Sequence, residues 1–327
     1  MCIRDRFLSY FDYQVYTKFW PVIAVFCVII MLVLFKWGTG PSSRPDARTW
    51  LSIGPINFQP SELVKIGFII TFGVHLDKVK EKINNIFSIL QLGAHAAVPI
   101  VLVAATGDMG SALVFMVIAI VMMFVAGVHW GYFLGGIALV GAATPLIWTY
   151  VLKQLQKDRF LALIYPDLYP DIIYQQQRGL NAIGAGGITG QGLFKGAYTQ
   201  AGAVPESQND MIFSVVGEEF GFIGCITALL LIVLITVRII YVGKKSSEQS
   251  TNLICTGMAA MIIGQMIINV GMCLMLLPVI GITLPFFSAG GSSNLCVYLG
   301  IGIVMSIYRH NCDTGAVNIR VYDSLKK

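Results

Sequence analysis

The stretch Gly221-Phe-Ile-Gly-Cys-Ile-Thr-Ala-Leu-Leu-Leu-Ile-Val-Leu-Ile-Thr-Val237 carries no charged side chain, and with its flanks it forms an apolar run over 212–241. The run is continuous, whereas a barrel strand alternates apolar and polar residues. About 20 such residues cross a hydrocarbon core of roughly 30 Å as a helix. Seven further runs lie near 19–35, 63–76, 88–105, 111–127, 131–152, 253–280 and 293–308. The chain therefore reads as an all-α polytopic membrane protein with about eight transmembrane helices. Composition agrees, since 56% of the 327 residues are hydrophobic, 12% are charged and mean hydropathy is +0.75. Soluble domains carry about 25% charged residues, so lipid must be the solvent for much of this chain. The second run is short for a crossing; it either extends back through Glu62 and Ser61 or lies tilted against its neighbours.

Cys27, Cys225, Cys255, Cys273 and Cys296 sit in or beside apolar runs and read as small hydrophobes. No Cys pair has metal-ligand spacing. The net charge of +5 comes from scattered loop residues and does not indicate nucleic-acid binding. The opening Met1-Cys-Ile-Arg-Asp-Arg6 is not followed by a secretory signal pattern.

Lys and Arg in short loops mark the cytoplasmic side. Lys78, Lys80 and Lys82, then Lys244 and Lys245, then Arg309, Arg320, Lys326 and Lys327 all fall on one side, with Arg4, Arg6 and Lys18 at the chain start. The other side receives 36–61, the turn at Asp108, the stretch 153–211 and the turn at 284–292. The segment 153–211 reads as one large extracytoplasmic loop. It is too rich in aromatic and aliphatic residues for disorder, and its run Gly184-Ala-Gly-Gly-Ile-Thr-Gly-Gln-Gly192 permits close backbone approach to a ligand or to the membrane surface.

Four polar constellations interrupt this apolar background. In Val204-Pro-Glu-Ser-Gln-Asn-Asp-Met-Ile-Phe213, Asp210 stands where the loop meets the membrane. It suits a general base acting on a substrate with its tail in lipid and its head in water, or equally the N-cap of the next helix. In Phe58-Gln-Pro-Ser-Glu-Leu-Val-Lys65, Glu62 and Lys65 share a helix face, as a structural ion pair or a functional one. In Gly217-Glu-Glu-Phe-Gly221, Glu218 and Glu219 point about 100° apart and read as interfacial residues or as markers of an ion path. The uncharged Leu284-Pro-Phe-Phe-Ser-Ala-Gly-Gly-Ser-Ser293 reads as a re-entrant turn, or as an anion site in which Gly290, Gly291 and Ser292 offer N–H groups at a helix start. Gln265 and Asn269 lie on one helix face and suit interhelical hydrogen bonds; His95 reads as a packed polar residue.

With Gly107-Asp-Met-Gly110 and Ala182-Ile-Gly-Ala-Gly-Gly187, these motifs resemble in order and spacing the SEDS family (RodA, FtsW and SpoVE), in wording closer to its RodA-type members. The resemblance spans nearly the whole chain and implies a single membrane domain over 1–327. Members have ten membrane helices, so the sequence is expected to be truncated before Phe19. Gln177-Arg-Gly179 departs from the Gln-Ser pair of many members.

The resemblance implies a glycosyltransferase that polymerises lipid II into peptidoglycan at the outer face of the bacterial cytoplasmic membrane, partnered by a class B penicillin-binding protein. The family's essential acidic residue matches Asp210, and its conserved Glu and Lys match Glu62 and Lys65. An α-linked donor and a β-linked product require one inverting displacement, with Asp210 as base towards the acceptor 4-hydroxyl. Arg44, Arg48, Arg178 and Lys195 are the external cations available to the diphosphate, and a divalent cation (Mg or Mn) is expected to share that task. The rival reading is a lipid II flippase, with Glu62, Lys65, Glu218 and Asn269 lining a path; a third is a scaffold that only anchors the transpeptidase.

Overall fold

The computed structural model describes residues 13–40, 47–54, 56–246 and 248–324, with 311–324 as helical backbone. They form two compact units, each discontinuous in sequence: Met1–Gly127, Leu234–Ile263 and Gly291–Lys327 in one, Val128–Val233 and Gly264–Gly290 in the other.

The first unit opens with α1 (Tyr13–Lys18) and α2 (Trp20–Trp37), followed by a hairpin of β1 (Leu51–Ile53) and β2 (Ile56–Phe58) that pairs Leu51 with Phe58 and Ser52 with Asn57. Then come α3 (Pro60–Lys78), α4 (Ile86–Ala105) and α5 (Met109–Val125). Helix α3 begins at Pro60 and so takes in Ser61 and Glu62, the first of the two alternatives for the short second run. It is buried on nearly every side, packed by α2, α4, α5 and α12 (Gly291–Ser324). A helix enclosed in this way is apolar all round, and its two charges near the start are sheltered by protein instead of facing lipid. Close approach helps: a Cβ on Gly257 would lie 2.7 Å from both Ile69 and Met122.

Alternate connections gather at opposite ends of this unit. At one end Gln59 reaches both Asp108 and Ser292, and the Arg48 amide reaches the Thr106 carbonyl. At the other, Tyr13 meets the His310 ring, Lys78 lies over Trp20, and Asn84 donates to the Gly127 carbonyl. Helices that cross and recross a bilayer require this segregation.

The second unit contains α6 (Trp130–Leu146), continued by a π turn over Ile147–Val151, then α7 (Gln154–Ile164), α8 (Pro170–Gly186) and the single turn α9 (Ala197–Gln200). The stretch 153–211 is thus largely helical. Helices α10 (Ile212–Lys244) and α11 (Gln249–Cys273) contribute to both units. Six helices are long and apolar enough to cross a membrane (α2, α4, α6 with its π turn, α10, α11 and the part of α12 up to His310), and α5 is a shorter apolar helix of 17 residues. With the enclosed α3 they account for the eight runs. The protein is a polytopic helical membrane protein.

One boundary differs from the sequence reading. The run 253–280 is helical only to Cys273, and the chain continues to Gly290 without regular helix. Pro278 disfavours the helical conformation at Leu277. The exposed carbonyls find side chains instead: Gln176 donates to the Met272 and Leu277 carbonyls, Arg159 to Val279 and Asn269 to Ile282, all at 2.7–2.8 Å. Irregular backbone beside lipid is tolerable when protein satisfies it in this way.

Candidate functional site

In the second unit, Asp210 stands two residues before α10 and is half-buried. Its backbone, and that of the residues before it, is held at three consecutive carbonyls. Ala289 N–H donates to Gln208 O, Ser288 Oγ to Asn209 O and Asn269 Nδ2 to Asp210 O, each at 2.8 Å. Glu206, at φ 51°, turns the chain so that its carbonyl accepts from Asn209 and Met211 N–H. The motifs 204–213 and 284–289 are therefore one assembly. Residues 284–289 form a turn that Ser288 knits by also accepting from Leu284 N–H at 2.8 Å.

Helix α8 supplies the adjoining wall. A Cβ on Gly179 would fall 2.3 Å from Met211 Cε and 2.8 Å from Ser214 Oγ, and one on Gly186 would fall 1.9 Å from the Gly217 carbonyl. Contacts that advance together along both helices mean that α8 and the start of α10 run side by side in the same direction. Arg178 and Asp210 each adjoin in sequence a residue of the Gly179–Met211 contact. The Arg178 guanidinium lies over Tyr174, 5.1 Å from the ring centroid. Lys195 is exposed on the turn before α9.

The glycine-rich run has a purpose different from the expected contact with a ligand or the membrane surface. Helix α10 is broken at Gly221 (φ 66°, ψ −163°), which frees backbone groups on both sides. The run fills the break. Gln191 and Gly192 N–H donate to the Glu218 and Glu219 carbonyls at 3.0 and 2.9 Å, while Phe222 and Ile223 N–H donate to the Gly187 and Ile188 carbonyls. The Gly221 position would bring a Cβ to 2.4 Å from Gly190 N, so only glycine fits. Glu218, expected at an interface or along an ion path, is fully buried. Its carboxylate accepts from Tyr198 N–H (2.7 Å), Thr199 N–H (3.0 Å) and Thr199 Oγ1 (2.5 Å), which ties α9 to α10.

The first unit holds a separate polar cluster. Asp108 caps α5 through Ser111 N–H at 3.0 Å and accepts from Gln59 Nε2 (2.8 Å) and Ser61 Oγ (3.2 Å). The Ser292 hydroxyl accepts from Gln59 N–H at 3.1 Å and faces the Asn57 carbonyl, so it serves the hairpin. Gly291 is exposed at the start of α12, and Gly290 lies just before it in the second unit. Lys65 has no exposed surface and donates to Glu62 at 2.7 Å. Direct contact of Lys65 with a ligand would require that pair to open. Arg48 donates through its guanidinium to the Phe35 carbonyl in the last turn of α2; Arg44 lies outside the described residues. Among the described residues, no three His, Cys, Asp or Glu side chains are grouped to hold a metal.

Sequence reasoning passed over Ser288 and Asp108 as organisers and saw Asn269 as an interhelical donor or as part of a transport path. Their signal is a polar side chain, buried in an apolar setting, with backbone carbonyls or helix-end N–H groups in reach.

The family model for FtsW, RodA and SpoVE, described as cell cycle protein, matches residues 3–313. The chain belongs to this family. Among relatives of this RodA/FtsW/SpoVE protein, peptidoglycan glycosyltransferase MrdB of Escherichia coli K12 is 29% identical over 300 residues, covering 91% of this chain and 80% of the relative. The probable peptidoglycan glycosyltransferase FtsW of Geobacter sp. M18 is 32% identical over 303 residues, covering 90% and 80%. A chain from a peptidoglycan synthase complex that coordinates polymerization and crosslinking superposes with a TM-score of 0.80 at 26% identity, over 94% of this chain and 85% of that one. The rod shape determining protein RodA of Thermus thermophilus shares the fold, with a TM-score of 0.69 at 23% identity over 94% and 83% of the two chains.

Proposed function

We propose that this family member is a peptidoglycan glycosyltransferase that polymerises lipid II at the outer face of the bacterial cytoplasmic membrane. The observation that carries the reading is the half-buried Asp210 side chain on a backbone fixed at three successive carbonyls. A general base must hold position while the proton moves, and the anchors from Asn269, Ser288 and Ala289 supply that rigidity.

The acceptor 4-hydroxyl attacks the anomeric carbon of the donor, its proton passes to the Asp210 carboxylate, and the lipid diphosphate departs. One displacement converts an α-linked donor into a β-linked product. Arg178, beside the Gly179–Met211 contact, is the first candidate for the departing charge. Lys195 on the same unit is the second. Glu62 and Lys65 enter as the pair that sets the α3 end, with Gly290, Gly291 and Ser292 at the start of α12. A divalent cation would arrive with the diphosphate as its counter-ion. A class B penicillin-binding protein is the proposed partner, by likeness to the synthase-complex chain. The proposed domain organisation is one membrane domain over 1–327, with 153–211 outside.

The side chains proposed for a transport path have partners within the protein. Glu62 and Lys65 close on each other, Glu218 caps α9, and Asn269 is bound to two carbonyls. The test is polymerisation of purified lipid II by the reconstituted chain. Asp210→Asn is expected to lower the rate by about 10²–10⁴ with the fold retained. A folded variant running at the normal rate removes Asp210 from this role, and labelled lipid II crossing proteoliposomes with no glycan formed favours transport.

A further inference from the structure

The first unit carries a feature that the proposed chemistry leaves unused. Leu234 and Ile235 of α10 face Ile301 and Met305 of α12 across an apolar groove of about 480 Å³. Arg238 and Tyr308 also line it, towards the end of the unit that bears Lys244 and Lys245. The Arg238 guanidinium lies 5.2 Å from the Tyr241 ring centroid and 5.8 Å from that of Tyr308, and Lys245 Nζ lies 4.8 Å from the Tyr241 ring.

Arg238 precedes Lys244 by about 9 Å of helix at 1.5 Å per residue, so its stem is rooted within the apolar part of α10. A charge at that depth is expensive without a partner. The Lys65–Glu62 and Lys80–Asp77 pairs lie elsewhere, and among the described residues no carboxylate pairs with Arg238 or Lys245. Glu248, the next acid along the chain, accepts from Thr251.

We propose that this groove binds one anionic phospholipid, with an acyl chain along Leu234, Ile235, Ile301 and Met305 and the phosphate between Arg238 and Lys245. Charge complementarity selects the occupant. A free phosphate leaves the groove unfilled, and an apolar peptide brings no counter-charge to either cation. A choline headgroup brings a third positive charge to Tyr faces that Arg238 and Lys245 already occupy. On the proposed orientation the site lies in the cytoplasmic leaflet, where anionic lipid concentrates.

The experiment reconstitutes the full chain in phosphatidylcholine vesicles holding a trace of spin-labelled phosphatidylglycerol or spin-labelled phosphatidylcholine. The motionally restricted fraction of each label is then measured. Wild type is expected to favour phosphatidylglycerol, and R238Q and K245Q each to lower that preference about fivefold. R238K is expected to retain it. I301W is expected to expel the restricted lipid with both cations in place, and K80Q, away from the groove, to change nothing. If R238Q fails to fold, K245Q and I301W decide. Equal restriction of the two labels by wild type, or an unchanged preference in K245Q and I301W, overturns the site.

Discussion

At the scale of single residues, the buried Glu62–Lys65 pair and the Asn269 anchor give separable predictions. Removing one member of a buried pair leaves an uncompensated charge and costs about 3–5 kcal/mol, whereas replacing both with apolar residues is often neutral. Lys65→Met is therefore expected to lower thermal stability sharply, and Glu62→Leu with Lys65→Met to recover most of it. Equal losses in the single and double variants would mean that the 2.7 Å contact is not what holds these side chains. If the double variant is stable and inactive, the pair acts on substrate as well as on the fold. Asn269→Leu strips the donor from the Ile282 carbonyl, worth about 1–3 kcal/mol when left buried and unpaired, and leaves the Asp210 carbonyl only the weak Cys273 thiol at 3.7 Å. Polymerisation is expected to lose kcat with little change in KM, because the base is displaced and the lipid-binding surface is not. A rise in KM alone would place Asn269 in substrate binding instead.

At the scale of elements, the interrupted α10 and the glycine turn behave as one piece. The four backbone hydrogen bonds across the break join 187–192 to 218–223, and Glu218 extends the junction to α9. Gly221→Ala puts a Cβ against Gly190 N and Ile188 O at a φ that L residues rarely adopt. The expected outcome is fast amide exchange at Gln191, Gly192, Phe222 and Ile223, read by hydrogen–deuterium exchange, with the remaining helices protected. Glu218→Gln replaces one acceptor oxygen with a donor facing the Thr199 N–H. At about 1.5–3 kcal/mol for a hydrogen bond to a charged group, it is expected to loosen 196–200 and to raise proteolytic cleavage there. Protection unchanged in both variants would show that the junction is not what orders the loop.

At the scale of the molecule, the segregation of alternate connections predicts which residues water reaches from each side. In cells, Lys195→Cys is expected to react with a membrane-impermeant thiol reagent from outside. Lys80→Cys should react only after permeabilisation. Labelling of both from outside would overturn the orientation read from the Lys and Arg distribution. The same reading recovered eight helices from eight apolar runs. It failed at 274–280, where apolarity continues and helix does not, because hydropathy reports the solvent and Pro278 governs the backbone.

The sequence by itself determined the solvent and the helix count. Each is a property of consecutive residues, legible from hydropathy and charge along the chain. The tertiary structure alone decided that the glycine run mends a broken helix, that Glu218 is a cap, and that residues 284–289 clamp the segment carrying Asp210. Those facts depend on backbone groups meeting across dozens of residues, and a carbonyl in need of a donor leaves no mark on its own side chain.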